Sequence, residues 1–115
     1  MAQGQRAGFV GTWRIIEMDP WDIDAIELTG SAFIAFGADG LGSFRFIVVE
    51  AQLDWRTQQG TDRAEFTWEG DDDGDHVNGR GWSQLDEDGS LRGRICFHLG
   101  DDAGFRAVRE RAATT

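Results

Sequence analysis

The most reactive side chains in the sequence belong to one cysteine and two histidines. Cys96 and His98 occupy alternate positions of an apolar segment, just after Arg92 and Arg94. If this segment is a strand, the thiol and the imidazole lie on one face, where the arginines would favour a thiolate nucleophile. Neighbouring side chains on one face point in the same direction, however, and the sequence supplies no third group to orient the imidazole. We therefore predict no catalytic residues and interpret Cys96 as a small packing residue.

A run of carboxylates has part of the spacing of a calcium loop. Asp71, Asp73 and Asp75 alternate within DDDGD, and carboxylate oxygens at alternate positions can bind Ca²⁺. The twelfth position of such a loop requires a bidentate glutamate, and here it is Trp82. Structural zinc normally takes four nitrogen or sulfur ligands, and the chain has two histidines and one cysteine. We predict a solvated hairpin tip, with no metal and no cofactor.

Composition argues against several further classes of function. The chain has 115 residues, a net charge of −10 and 11 basic residues, all of them arginine. The acidic balance argues against nucleic acid, and the lack of lysine excludes P-loop and Schiff-base chemistry. A single cysteine excludes an internal disulfide. Because no apolar run is long enough for a signal peptide or a membrane span, we predict a cytoplasmic protein that does not bind membranes.

Aromatic residues give the main indication of a binding function. Several fall on alternating positions, where their rings would either line a pocket for a small apolar or aromatic ligand or fill the interior by packing on one another. In the first case, the segment from Trp21 to Leu28 would act as a lid over one mouth. The predicted ligand-binding residues are Trp13, Phe44, Phe66, Trp68 and Trp82.

The elements that position these residues are predicted to be short β-strands. Sixteen glycines and one proline separate alternating apolar segments, which is typical of an all-β protein. Asp39-Gly40 predicts a hairpin, and Asp19-Pro20 predicts the start of a short helical segment after the first strand. The predicted strands lie at about 11–18, 32–36, 43–56, 63–69, 79–85, 91–99 and 105–110.

The third of these segments changes its apolar face partway along. Phe44 and Phe46 are at even positions, whereas Ala51 and Leu53 are at odd positions. Because strand side chains alternate strictly, one unbroken strand cannot bury both sets. We expect a β-bulge or sharp bend near residues 49–51, which divides the segment in two.

The resulting eight short antiparallel strands predict a small up-and-down β-barrel, since closure removes exposed sheet edges. We expect a disordered amino-terminal tail at residues 1–8, one barrel domain at residues 9–110 and a frayed tail at residues 111–115.

Two resemblances accompany this reading. Gly11, Thr12 and Trp13 near the start, with Arg109 near the end, resemble the signature of the calycin superfamily, which includes lipocalins. This resemblance implies a barrel in which Arg109 stacks on Trp13 and closes one end. The segments GTWRIIEM and GRICFHLGDD are similar to a family of small bacterial proteins of unknown function, which implies no activity, cofactor or partner.

Some of the middle residues are apolar on both faces of their segments. Placed outward, Ile34, Ile47 and Val49 would form a patch that monomers rarely expose. We therefore predict a homodimer through these three residues.

Two functions remain open at this point. The first is a non-enzymatic, lipocalin-like barrel that binds a small apolar or aromatic ligand. The second is a solid-core interaction or oligomeric module that has no ligand. An enzyme is the less favoured alternative, because no nucleophile, base and orienting group fall into a recognisable pattern.

Overall fold

Eight antiparallel strands form a closed barrel in the computed structural model, which describes residues 7–57 and 59–110. Each strand pairs with its neighbours in the chain, and the last strand pairs with the first. The strands are β1 (Gly11–Met18), β2 (Phe33–Phe36), β3 (Leu41–Phe46), β4 (Val49–Thr57), β5 (Arg63–Asp72), β6 (Asp75–Leu85), β7 (Leu91–Phe97) and β8 (Asp102–Arg109). The predicted up-and-down barrel is confirmed.

Strict alternation of apolar and polar residues explains which face of each strand turns inward. In β5, Ala64, Phe66 and Trp68 are at most 4% exposed, whereas Glu65 and Thr67 between them face solvent. Successive side chains of a strand point to opposite faces, so one apolar set is enough to fix the register of the strand. The core is therefore the inside of the barrel.

The change of apolar face after Phe46 comes from a hairpin rather than from a bulge or bend at residues 49–51. β3 ends at Phe46, the chain reverses at residues 47–48, and β4 begins at Val49, which pairs directly with Phe46. Paired residues on adjacent strands face the same side, although one has an even number and the other an odd number. Ile47 takes the turn with a φ of 54°, and its amide donates to the Ile26 carbonyl.

A short helix, α1 (Ile23–Ile26), follows β1 as expected, but it begins later than Asp19-Pro20. The side chain of Asp22 accepts a hydrogen bond from the Ala25 amide and caps the helix. Asp19 and Pro20 instead form a turn, in which the Trp21 amide donates to the Met18 carbonyl at 2.9 Å and Trp21 bridges back to Met18, so the helix begins only after Trp21.

Apolar side chains close both ends of the barrel. At the end where β1 starts, a helical turn at residues 7–9 places Phe9, 0% exposed, against Phe36 and Trp55. At the other end, α1 buries Ile26, and Trp21 packs against Phe46. The tails predicted at residues 1–8 and 111–115 lie mostly outside the described residues, which include only residues 7 and 8 of them.

No helix within residues 7–57 and 59–110 is long and apolar enough to span a membrane.

Candidate functional site

Four of the five predicted ligand-binding residues lie inside the barrel, and the fifth lies outside. Trp13, Phe44, Phe66 and Trp68 are each at most 4% exposed. Trp82 occupies an outward position of β6 and is half-buried. The structure therefore does not bring the five residues together in one site.

The inward rings pack against each other. The Phe44 and Trp68 rings meet at 5.1 Å between centroids, and Trp68 and Phe97 at 5.0 Å, both edge to face. Phe44 also contacts Phe66, whose ring reaches Phe36 at 6.2 Å. These spacings are those of favourable aromatic pairs, so the rings form a continuous packed cluster across the interior.

Glycines opposite several of these rings let them lie flat against the barrel wall. A Cβ on Gly81 would lie 2.5 Å from the Phe66 ring, far inside van der Waals contact. Each ring therefore occupies the space that a side chain on the next strand would otherwise fill. Among the described residues, three such cross-strand pairs occur: Phe66 with Gly81, Trp68 with Gly79, and Phe105 with Gly93.

Arg109 and Trp13 form the contact that the sequence predicts at one end of the barrel. They are directly paired between β8 and β1, and the guanidinium carbon lies 4.2 Å from the centroid of the Trp13 ring system. Arg109 also donates to the carbonyls of Gly8 and Val10, at 2.7 and 2.8 Å. It therefore fastens the amino-terminal turn to the seam between the first and last strands.

One polar atom is buried inside the barrel without a partner. The Ser83 hydroxyl oxygen has no hydrogen-bond partner among the described residues, and Ser83 is 0% exposed. Its direct neighbours across β5 and β7 are Ala64 and Gly93, which offer no side-chain partner. An unsatisfied buried hydroxyl costs about 1–3 kcal/mol of stability.

The thiol and the imidazole near the end of β7 do not form a nucleophile and base. Burial, followed by the nearby carboxylate of Asp102, raises the pKa of the Cys96 thiol, so the sulfur stays protonated at neutral pH. His98 lies beyond the end of β7, in the turn before β8, rather than beside Cys96 on the strand. No group of three or more potential metal ligands occurs among the described residues.

The apolar patch predicted for a dimer interface is not on the surface. Ile34 is 0% exposed and Val49 is 4% exposed, because both point into the core. Ile47 is half-buried at the turn after β3 and packs against the core from the end of the barrel. The expectation that these three side chains face outward is wrong, and the homodimer stays a prediction without this surface.

The outer surface also has a cleft that sequence reasoning missed. The segment from Asp19 to Ile23 forms one wall, and the outer faces of β6, β7 and β8 form the other. We call it the outer cleft; its volume is about 610 Å³. Trp21 and Ile23, 36% and 41% exposed, line the first wall, and Trp82 lines the second.

The floor of the outer cleft is the backbone at Gly104. Two side chains of opposite charge, Asp19 and Arg94, lie above it. A Cβ on Gly104 would lie 3.1 Å from a carboxylate oxygen of Asp19 and 3.6 Å from a guanidinium nitrogen of Arg94. Backbone bonding fixes this arrangement, because the Asp19 amide donates to the Gly104 carbonyl at 2.9 Å and Arg94 pairs with Gly104 in register. The sequence signals were an outward-facing tryptophan and a glycine at an outward position of β8.

These features define a closed eight-stranded antiparallel barrel with an aromatic core and a polar–apolar cleft on its outer surface. No protein-family model matches the chain, and no curated protein matches it significantly. The two resemblances drawn from the residues therefore stay predictions.

Proposed function

We propose that this protein is a non-enzymatic binding protein whose barrel is a solid scaffold and whose ligand binds on the outer surface. The observation that supports this proposal is the packed interior. The Phe44 ring contacts both Phe66 and Trp68, and Phe9 and Ile26 close the two ends. Because protein interiors are close-packed, a ligand inside would have to displace some of these buried side chains.

A titration with neutral apolar probes tests this proposal. Retinol and N-phenyl-1-naphthylamine carry no charge, so they report on the apolar interior. We expect no saturable change in probe emission or tryptophan emission. Saturable one-to-one binding that Phe66→Leu weakens and Trp82→Phe leaves intact would overturn the solid-scaffold proposal, because those two variants change the inside and the outside respectively.

A second candidate function is the lipocalin-like binding of a small apolar or aromatic ligand inside the barrel. The unpartnered Ser83 hydroxyl favours it, since a ligand with a polar atom would give this group a hydrogen-bond partner. Trp13, Phe44, Phe66 and Trp68 would then surround the ligand.

The variant Ser83→Ala separates the two candidates. If the core is solid, removal of an unsatisfied hydroxyl should leave the melting temperature unchanged or raise it, since the cost of about 1–3 kcal/mol is relieved. If a ligand occupies the interior, the same variant should lower the melting temperature of protein purified from cells and should weaken probe binding. Ser43→Ala, on an outward position of β3, serves as the control.

A further inference from the structure

The outer cleft holds two opposite charges that face the same point and do not pair with each other. Asp19 and Arg94 both lie within 3.6 Å of the position that a Cβ on Gly104 would occupy. Within residues 7–57 and 59–110, neither side chain forms an ion pair or a hydrogen bond. Two opposite charges that lie close together without a direct ion pair are electrostatically suited to a molecule that carries both signs.

The other charged groups of the cleft are mostly engaged elsewhere. Arg92 pairs with Asp86 at 2.9 Å, and Arg106 pairs with Asp88 at 3.4 Å, so both guanidiniums point toward the loop after β6. The side chain of Asp22 caps α1. Glu17 lies opposite Arg106 in the register of β1 and β8, and within residues 7–57 and 59–110 its carboxylate forms no ion pair. Asp19 and Arg94 are thus the charges that converge on the bare floor.

Apolar side chains line the outer cleft on both sides of Gly104. Pro20, Trp21 and Ile23 form one wall, and the Trp82 indole forms the other. Arg63 lies 4.0 Å from the centroid of the Trp82 ring system on the neighbouring strand, so a cation–π contact holds the indole in place. A ligand would therefore find charge complementarity at the floor and aromatic surface above it.

We propose that the outer cleft binds a free α-amino acid with a large apolar or aromatic side chain. In this arrangement the Arg94 guanidinium binds the α-carboxylate, the Asp19 carboxylate binds the α-ammonium group, and the side chain packs between Trp21 and Trp82. Gly104 lets the ligand backbone approach the floor. This inference rests on the proposal that recognition takes place on the outside of the barrel, and it names the ligand class.

Calorimetric titration with three probes of one shape tests the charge pattern. L-phenylalanine has both charged groups, 3-phenylpropionate lacks the ammonium group and 2-phenylethylamine lacks the carboxylate. We expect L-phenylalanine to bind one-to-one and each of the other two to bind at least roughly tenfold more weakly, since each loses one charge-assisted contact. L-alanine should also bind more weakly, because it lacks the ring.

Variants in the floor give opposite patterns for the two single-charge probes. Arg94→Gln should weaken L-phenylalanine and 3-phenylpropionate, and it should strengthen 2-phenylethylamine because a repelling guanidinium is gone. Asp19→Asn should weaken L-phenylalanine and 2-phenylethylamine, and it should strengthen 3-phenylpropionate because a repelling carboxylate is gone. Arg14→Gln and Asp24→Asn, outside the cleft, are the matched controls for loss of one charge and should change none of these affinities.

Gly104→Ala adds a methyl group at the point where the two charges converge, and it should abolish L-phenylalanine binding.

Equal binding of L-phenylalanine and 3-phenylpropionate would overturn the amino-acid assignment in favour of a simple anion site. Absence of binding by all the probes at millimolar concentration would also overturn it. Neither result depends on the titration with neutral probes, which tests the solid scaffold. The amino-acid assignment can therefore fail while the solid-scaffold proposal stands, and the reverse. The comparison of L-phenylalanine with the two single-charge probes on the wild-type protein tests the amino-acid assignment even if a variant does not fold.

Discussion

Side-chain parity explains most of what individual residues do in this barrel, both where sequence reasoning succeeds and where it fails. Trp13, Phe44, Phe66 and Trp68 lie on the inward face as their alternation predicts. Residue type alone would place Trp82 with them, yet the neighbours of Trp82 in β6, Gly81 and Ser83, face inward, and residue 82 faces outward. Because the inward positions of β6 are glycine and serine, the sequence does not show which face of this strand turns inward. The pairing of Gly79 and Gly81 with the Trp68 and Phe66 rings shows it.

The short loop between β6 and β7 contains a carboxylate that the fold holds in its charged form. The Ser90 hydroxyl and then the Ser90 amide donate to Asp88, with a smaller contribution from Arg106, and together they lower the pKa of Asp88 below its ordinary value of 3.8. A carboxyl whose pKa is lower in the folded state stabilises the fold above its unfolded pKa. That stabilisation is lost as the pH falls through the folded pKa.

We therefore expect Asp88→Asn to lower the melting temperature at neutral pH and to differ less from wild type as the pH falls below about 4. The measurement is the difference in melting temperature between the two proteins from pH 7 to pH 2. Glu87→Gln, the neighbouring residue, controls for the loss of one negative charge. A difference that does not change with pH would refute this role for Asp88.

At the scale of elements, the order of the strands could be read from glycine and alternation, but several boundaries could not. β5 continues to Asp72 rather than ending at residue 69, β6 begins at Asp75 rather than at residue 79, and β8 begins at Asp102 rather than at residue 105. A change of parity between Phe46 and Ala51 is compatible with either a bulge or a two-residue turn, and only the pairing of Phe46 with Val49 distinguishes them. Likewise, Asp19 and Asp22 are both acceptable helix caps. Asp19 and Pro20 are used in a turn that the hydrogen bond from Trp21 to Met18 closes, which leaves the cap to Asp22.

The pairing of rings with glycines makes a quantitative prediction for β6. Gly81→Ala should destabilise the fold by about 1–3 kcal/mol, because the new methyl group meets the Phe66 ring and the Arg94 carbonyl oxygen, both at 2.5 Å. Gly104→Ala, on the outer face of β8, should cost much less, since its nearest neighbour is the movable Asp19 side chain at 3.1 Å. Urea unfolding of both variants measures the two costs, and equal values would contradict the packing argument.

On the scale of the whole molecule, the seam between β1 and β8 is the one pairing that joins distant parts of the chain. The glycine, tryptophan and arginine pattern was sufficient to predict the Trp13–Arg109 contact there, because both residues lie on the seam in matching register. The outer cleft could not be predicted in this way. Asp19 and Arg94 are far apart in sequence, and they converge only because a loop folds over β8 at Gly104.

Loss of the seam contact should be measurable in the stability of the whole barrel. Arg109→Gln removes the stacking on Trp13 and two hydrogen bonds to the amino-terminal turn, and we expect a loss of about 1–3 kcal/mol. Arg14→Gln, which removes an exposed ion pair with Glu27, should cost less than about 1 kcal/mol. Chemical denaturation of the two variants gives the comparison, and similar losses would argue against a special role for Arg109.

The position of this seam has a consequence for synthesis of the protein. On the ribosome, β1 to β7 can form their hairpins in order as they emerge, yet β1 and β7 keep unpaired edges until the segment from Asp102 to Arg109 has left the exit tunnel. Exposed strand edges readily pair with other chains. Premature termination before Asp102 should therefore yield an aggregating fragment rather than a smaller barrel, and the last eight strand residues decide whether the barrel can close during synthesis.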